Sequence, residues 1–135
     1  MKHFMIIAVL AAMLGVAASA QETKTVSGYL VDKMCASSMV KKSPDEAMAR
    51  AAKHTRECAM EKDCAAAGYG VVSDGKWIGF DAAGNEKAAA YLKSTHKEDH
   101  LLVEVKGTLK GDVLNVTSIR EVKSPAKKLP KTTGA

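Results

Sequence analysis

Apolar and polar positions alternate from Thr23 to Val31 (TKTVSGYLV), a period-two pattern rich in β-branched and aromatic residues that predicts a strand. Asp32 to Lys42 shows neither period and reads as an irregular segment. Ser43-Pro44-Asp45-Glu46 then carries helix-start chemistry. A serine can cap, proline suits the first helical position, and glutamate three residues on can complete a capping box. Met48, Ala51, Ala52, Thr55, Cys58 and Ala59 follow at helical spacing, so a long helix is predicted. Tyr69–Ser73 and Lys76–Phe80 read as strands joined by a tight Asp74-Gly75 turn. Asp81 to Asn85 reads as a further turn and Glu86 to Ser94 as a short helix. Leu101–Leu109 and Val113–Val122 form a last pair of strands about Lys110-Gly111-Asp112.

The order is strand, long helix, hairpin, short helix, hairpin. It predicts an α+β domain, mainly β. The expected core is a five-stranded antiparallel OB-like barrel with a long helix inserted after strand 1 and a short helix between strands 3 and 4. A two-layer α+β sandwich is the alternative. No internal repeat is visible.

The first twenty residues change the picture of where such a domain works. Lys2 and His3, an apolar run from Phe4 to Val16, and Ala18-Ser19-Ala20 have the layout of a signal peptide, 1–20. The run is too short for a membrane span. The domain is then expected over 21–122, with a basic disordered tail over 123–135, in a bacterial protein that is periplasmic or secreted. The net charge of +5 comes from the ends, because Gln21 to Glu121 holds fifteen Lys/Arg and fifteen Asp/Glu. A neutral body argues against a nucleic-acid partner. The tail lysines, Lys123, Lys127, Lys128 and Lys131, leave room for weak contact with anionic surface polymers.

Candidate chemistry concentrates between Cys35 and Cys64. All three cysteines lie there, with His54 four residues before Cys58, one helical turn away. Cys35, His54, Cys58 and Cys64 have the ligand count of a tetrahedral site, suiting zinc or copper. Cys64 is six residues past Cys58, about 240° round an unbroken helix. The helix must therefore end or bend near Lys62-Asp63, with Asp63 capping a second segment that finishes at Gly68. The competing reading is one structural disulfide from Cys35 to Cys58 or Cys64, the commoner fate of exported cysteines. No C-x-x-C is present, so a thioredoxin-type centre is unsupported. Cys58 with His54 is the one nucleophile-and-base pair on offer. No serine-hydrolase setting occurs, and the phosphate-loop fragment ending at Lys76 is followed by Trp77 where Ser or Thr is required.

Tyr69, Trp77 and Phe80 are a possible stacking face, with core packing the commoner role for such residues. His96 and His100 have a metal-like spacing in a polar stretch that reads as a solvated loop.

Gly28-Tyr29-Leu30-Val31-Asp32-Lys33-Met34-Cys35, His54 to Cys58, Cys64, Gly68-Tyr69, Asp74-Gly75 and Val105-Lys106-Gly107 occur in that order. In this the chain resembles a loose group of small exported bacterial Cys/His-containing proteins of unassigned function. The resemblance implies an OB-like fold and no activity. Cys58 and Cys64 are further apart than the last two cysteines of that pattern. The expectation is a small exported, non-enzymatic domain binding a soft metal ion. The alternative is a disulfide-stapled OB-like domain binding a polymer or protein partner.

Overall fold

The computed structural model describes residues 21–123; the leader expected over 1–20 and nearly all of the basic tail lie outside them. Five strands run β1 (Thr23–Asp32), β2 (Tyr69–Ser73), β3 (Lys76–Phe80), β4 (Leu102–Lys110) and β5 (Val113–Glu121). Helices are α1 (Lys33–Lys42), α2 (Ala47–Ala52), α3 (Arg56–Met60), α4 (Lys62–Ala67) and α5 (Ala82–Ser94), with a 3-10 turn over Pro44–Glu46. No helix among the described residues is long and apolar enough to cross a membrane.

The strands pair in the closed circuit β1-β2-β3-β5-β4. The sheet is mixed, which corrects the all-antiparallel expectation. β3 and β5 meet in parallel, through Gly79↔Val113 and Phe80↔Leu114, while the other pairs are antiparallel. Directions cannot alternate all the way round a closed circuit of five strands, so one neighbouring pair must run parallel, and here it is β3 with β5.

Leu30, Val71, Val103, Val105 and Leu114 point inward and form the core with Tyr69, Phe80 and Leu92. Burying a leucine fully is worth about 1.5–3 kcal/mol, and Leu30, Leu92, Leu101 and Leu114 have no exposed surface. α5 contributes Ala88 and Leu92 to this core. Its start is fixed by Asp81, whose Oδ1 accepts from the Gly84 amide at 2.9 Å and the Val116 amide at 3.1 Å. That cap turns most of the expected Asp81–Asn85 turn into helix.

The neighbouring positions Val31 and Val72 face the other way, into a second apolar cluster beneath α1 and α2 with Ala36, Ala47 and Ala51. The end of β1 is therefore buried on both faces, as its burial pattern records. Small alanine side chains let the helices lie close on the sheet. Trp77 packs at the edge of this cluster, its ring lying over Gly70, where a Cβ would come within 2.6 Å of the indole.

The long inserted helix is replaced by short pieces. Asp32–Lys42, expected to be irregular, is mostly α1, because the Asp32 side chain caps it. Between α2 and α3 the chain extends at Thr55 (φ −87°, ψ 152°). Segment 98–100 takes the backbone groups that a continuous helix would use internally. His100 N donates to Ala52 O at 2.8 Å and Arg56 N donates to Glu98 O at 2.7 Å. A second break falls at Glu61 (φ −57°, ψ 146°), close to the one expected, though Asp63 lies inside α4 rather than capping it. α4 ends at Gly68, whose φ of +92° suits glycine.

Candidate metal centre

Each cysteine is the third residue of a short helix: Cys35 in α1, Cys58 in α3 and Cys64 in α4. Two of these helices begin with a side-chain cap on the cysteine amide itself. Asp32 Oδ1 accepts from Cys35 N at 2.9 Å, and Thr55 Oγ1 accepts from Cys58 N at 3.1 Å. Because Cα–Cβ bonds tilt toward a helix's N-terminus, these placements direct the side chains toward the ends where the helices start. The breaks before α3 and α4 bring those ends together.

The result is a compact group. One donor atom from each of Asp32, Cys35, Cys58 and Cys64 lies within 4.8 Å of all the others. The Cys35 and Cys58 Sγ atoms are 3.9 Å apart. Bonds of about 2.3 Å arranged tetrahedrally place sulfurs about 3.8 Å apart, so this pair already has the spacing of two ligands on one zinc ion. All three cysteines are free, and the expected disulfide is not formed. Cys64 and Asp32 are buried, whereas Cys35 and Cys58 retain partial exposure, so the group is open on their side.

Asp32 was not anticipated. It ends β1, opposite Tyr69 on β2, with no exposed surface. Its signal was present as an Asp three residues before Cys35, the spacing of an N-cap; Thr55 stands in the same relation to Cys58. His54 is not among the four convergent donors. It is buried behind Asp32, with Nε2 3.0 Å from Oδ2. The approach is off the line of a hydrogen bond, so Asp32 Oδ2 and both His54 ring nitrogens have no hydrogen-bond partner among the described residues. With α2 and α3 separate, His54 and Cys58 do not share a helix, and no hydrogen bond joins the imidazole to the thiol.

The electrostatics suit a proton-holding thiol cluster in the metal-free state. Burial, the Asp32 carboxylate and Cys58 push the Cys35 thiol up to about 12. Burial, Asp32 and Cys58 push Cys64 up to about 11. Burial also works against ionisation of Asp32, but the His54 contact and the Cys35 amide outweigh it, and the carboxyl lies below 3.8. A folded thiol that ionises later than its unfolded counterpart, at 9.0, stabilises the fold fully below that pH. The metal-free protein should therefore lose stability as pH climbs from about 9 through 11 and 12. Urea midpoints against pH test this; Cys35→Ala and Cys64→Ala should each flatten the alkaline slope, and an unchanged slope would contradict it.

The other sequence candidates stay apart. Tyr69 and Phe80 are core residues, and the Tyr69 hydroxyl donates to Ala59 O at 2.9 Å. Trp77 packs on the helix-covered face of the sheet, so the three share a cleft rim beside Asn85 but no common stacking face. His96 and His100 are exposed, and His100 Nδ1 is 2.8 Å from Asp99 Oδ1. Compared with protein-family models, curated proteins and solved structures, the chain matches none.

Proposed function

We propose that this chain is a small exported bacterial domain, non-enzymatic, that binds one soft metal ion, zinc or copper, through Asp32, Cys35, Cys58 and Cys64. The observation that carries the reading is the convergence of four donors from three helix starts and a strand end, with every cysteine free. Thiolates suit both metals, and a buried oxygen donor completes a four-ligand shell. His54 moves in this reading from ligand to neighbour of a ligand. The closed strand order, with a helix between β3 and β4, supports an OB-like barrel as the scaffold. The leader-like residues 1–20 support export.

Thiol catalysis gains no support from the geometry. A nucleophilic cysteine needs a depressed pKa or an adjacent base; Cys35 and Cys64 are pushed upward, and His54 makes no hydrogen bond to Cys58.

The test is to express the chain with its leader, recover it from the periplasm, and measure bound metal, intact mass and free thiols. About one equivalent of zinc or copper is expected, with three thiols becoming reactive when a chelator removes the ion. Quantitative formation of one disulfide with no retained metal would overturn the proposal in favour of a stapled interaction domain.

A further inference from the structure

His54 has no task in metal binding as described so far, yet its position is costly. Its side chain is 4% exposed and lies against Asp32, which is 0% exposed. Neither ring nitrogen has a hydrogen-bond partner among the described residues. An imidazole buried in that way is a burden on folding, and Ala51 and Ala52 beside it show that the chain tolerates apolar residues at buried positions there. The ring stands against the oxygen of Asp32 that the Cys35 amide does not hold. A carboxylate that ligates a metal is commonly oriented by a polar neighbour on its other oxygen, the place His54 Nε2 occupies at 3.0 Å from Oδ2, and losing such a neighbour costs about 10- to 100-fold in affinity.

We propose that His54 is the positioning residue that presents Asp32 as an oxygen donor, and that it thereby makes the centre selective for a divalent ion such as zinc over Cu(I). The inference rests on the metal-binding reading and adds to it the class of ion. Three thiolates alone satisfy Cu(I), whose preference is for soft sulfur, whereas zinc accepts sulfur and carboxylate oxygen together. Charge acts in the same direction. Three thiolates and one carboxylate bring four negative charges to a partly buried site; a divalent ion offsets two of them and a monovalent ion one. A carboxylate held in place therefore disfavours Cu(I) and favours zinc.

The experiment uses the processed full chain, reduced and stripped of metal, titrated separately with zinc and with Cu(I) in competition with chromophoric chelators. His54→Leu fills similar space without a polar contact, and His54→Gln retains a side-chain donor for the carboxylate. In His54→Leu, zinc affinity should fall about 10- to 100-fold while Cu(I) affinity stays within about threefold. The retained Cu(I) binding doubles as the check that the three sulfurs are still assembled. His54→Gln should recover most of the zinc affinity. An equal loss for both ions would mark His54 as merely structural, and unchanged zinc binding in His54→Leu would remove its role; either result overturns the inference while leaving the metal centre standing. A wild-type chain that binds neither ion would defeat the metal reading itself, and this inference with it.

Discussion

Zinc added to the reduced, metal-free chain should raise its melting temperature by roughly 15 °C or more. An ion that binds only the folded state stabilises it by about 4 kcal/mol at a free concentration about a thousand times Kd. For a domain of about 100 residues each kcal/mol shifts the midpoint by about 4–8 °C. The four donors sit on β1, α1, α3 and α4, so in the unfolded chain they are dispersed across a long stretch and cannot hold the ion equally well. Because Cys35 and Cys64 hold their protons in the metal-free fold, binding must expel them, and the stabilisation should grow with pH between about 6 and 8. Cys64→Ser removes the buried sulfur and should abolish most of the shift. Differential scanning calorimetry with and without zinc checks both statements; a wild-type shift below about 2 °C at saturating zinc would refute the first.

Asp32→Ala should be among the most damaging single changes in the metal-free protein, by about 2–4 kcal/mol. The carboxylate caps α1 through the Cys35 amide and faces buried His54. Removing it costs a cap, about 1 kcal/mol, and takes from the buried His54 ring the carboxylate that stands 3.0 Å from its Nε2. Asp32→Asn keeps an acceptor for the amide and should cost less than Asp32→Ala. The two also differ from wild type in acid. A carboxyl whose folded pKa is depressed contributes fully above its unfolded value, 3.8, and that contribution fades as pH falls through the folded pKa. Wild type should therefore lose stability in strong acid along a slope that Asp32→Asn lacks. Urea midpoints at pH 7 and below pH 4 measure it, and an Asp32→Ala midpoint equal to wild type at pH 7 would contradict the account of this residue.

The strands are legible in the sequence because their cues are local. Alternation in Thr23–Val31, the Asp74-Gly75 turn and the Lys110-Gly111-Asp112 turn each place an element within a residue or two of where it lies. The helical half was harder to read. Alanine-rich sequence from Ala47 to Ala67 suits one helix or several equally well, since propensity says nothing about which amides find partners elsewhere. The interruption at Lys53–Thr55 exists because residues 98–100 offer competing backbone partners. Asp32 is hard to single out for a related reason: it opens an aperiodic stretch, and its spacing to Cys35 signals a cap only once a helix is known to start there.

The metal ligands divide along the same line. Composition and spacing alone single out Cys35, His54, Cys58 and Cys64 as the place where chemistry gathers, and show that Cys64 can join only if the helix breaks near Lys62. Those conclusions need nothing beyond local helical geometry. The three sulfurs do converge, and Asp32 stands where His54 is expected. Which fourth side chain meets the sulfurs, and that no disulfide joins them, was decided by tertiary structure. It depends on how the end of β1, buried on both faces, is placed against two helix starts that are distant in the sequence. A ligand set is a statement about distances of a few ångströms between separate elements, and such distances emerge only when the whole core closes.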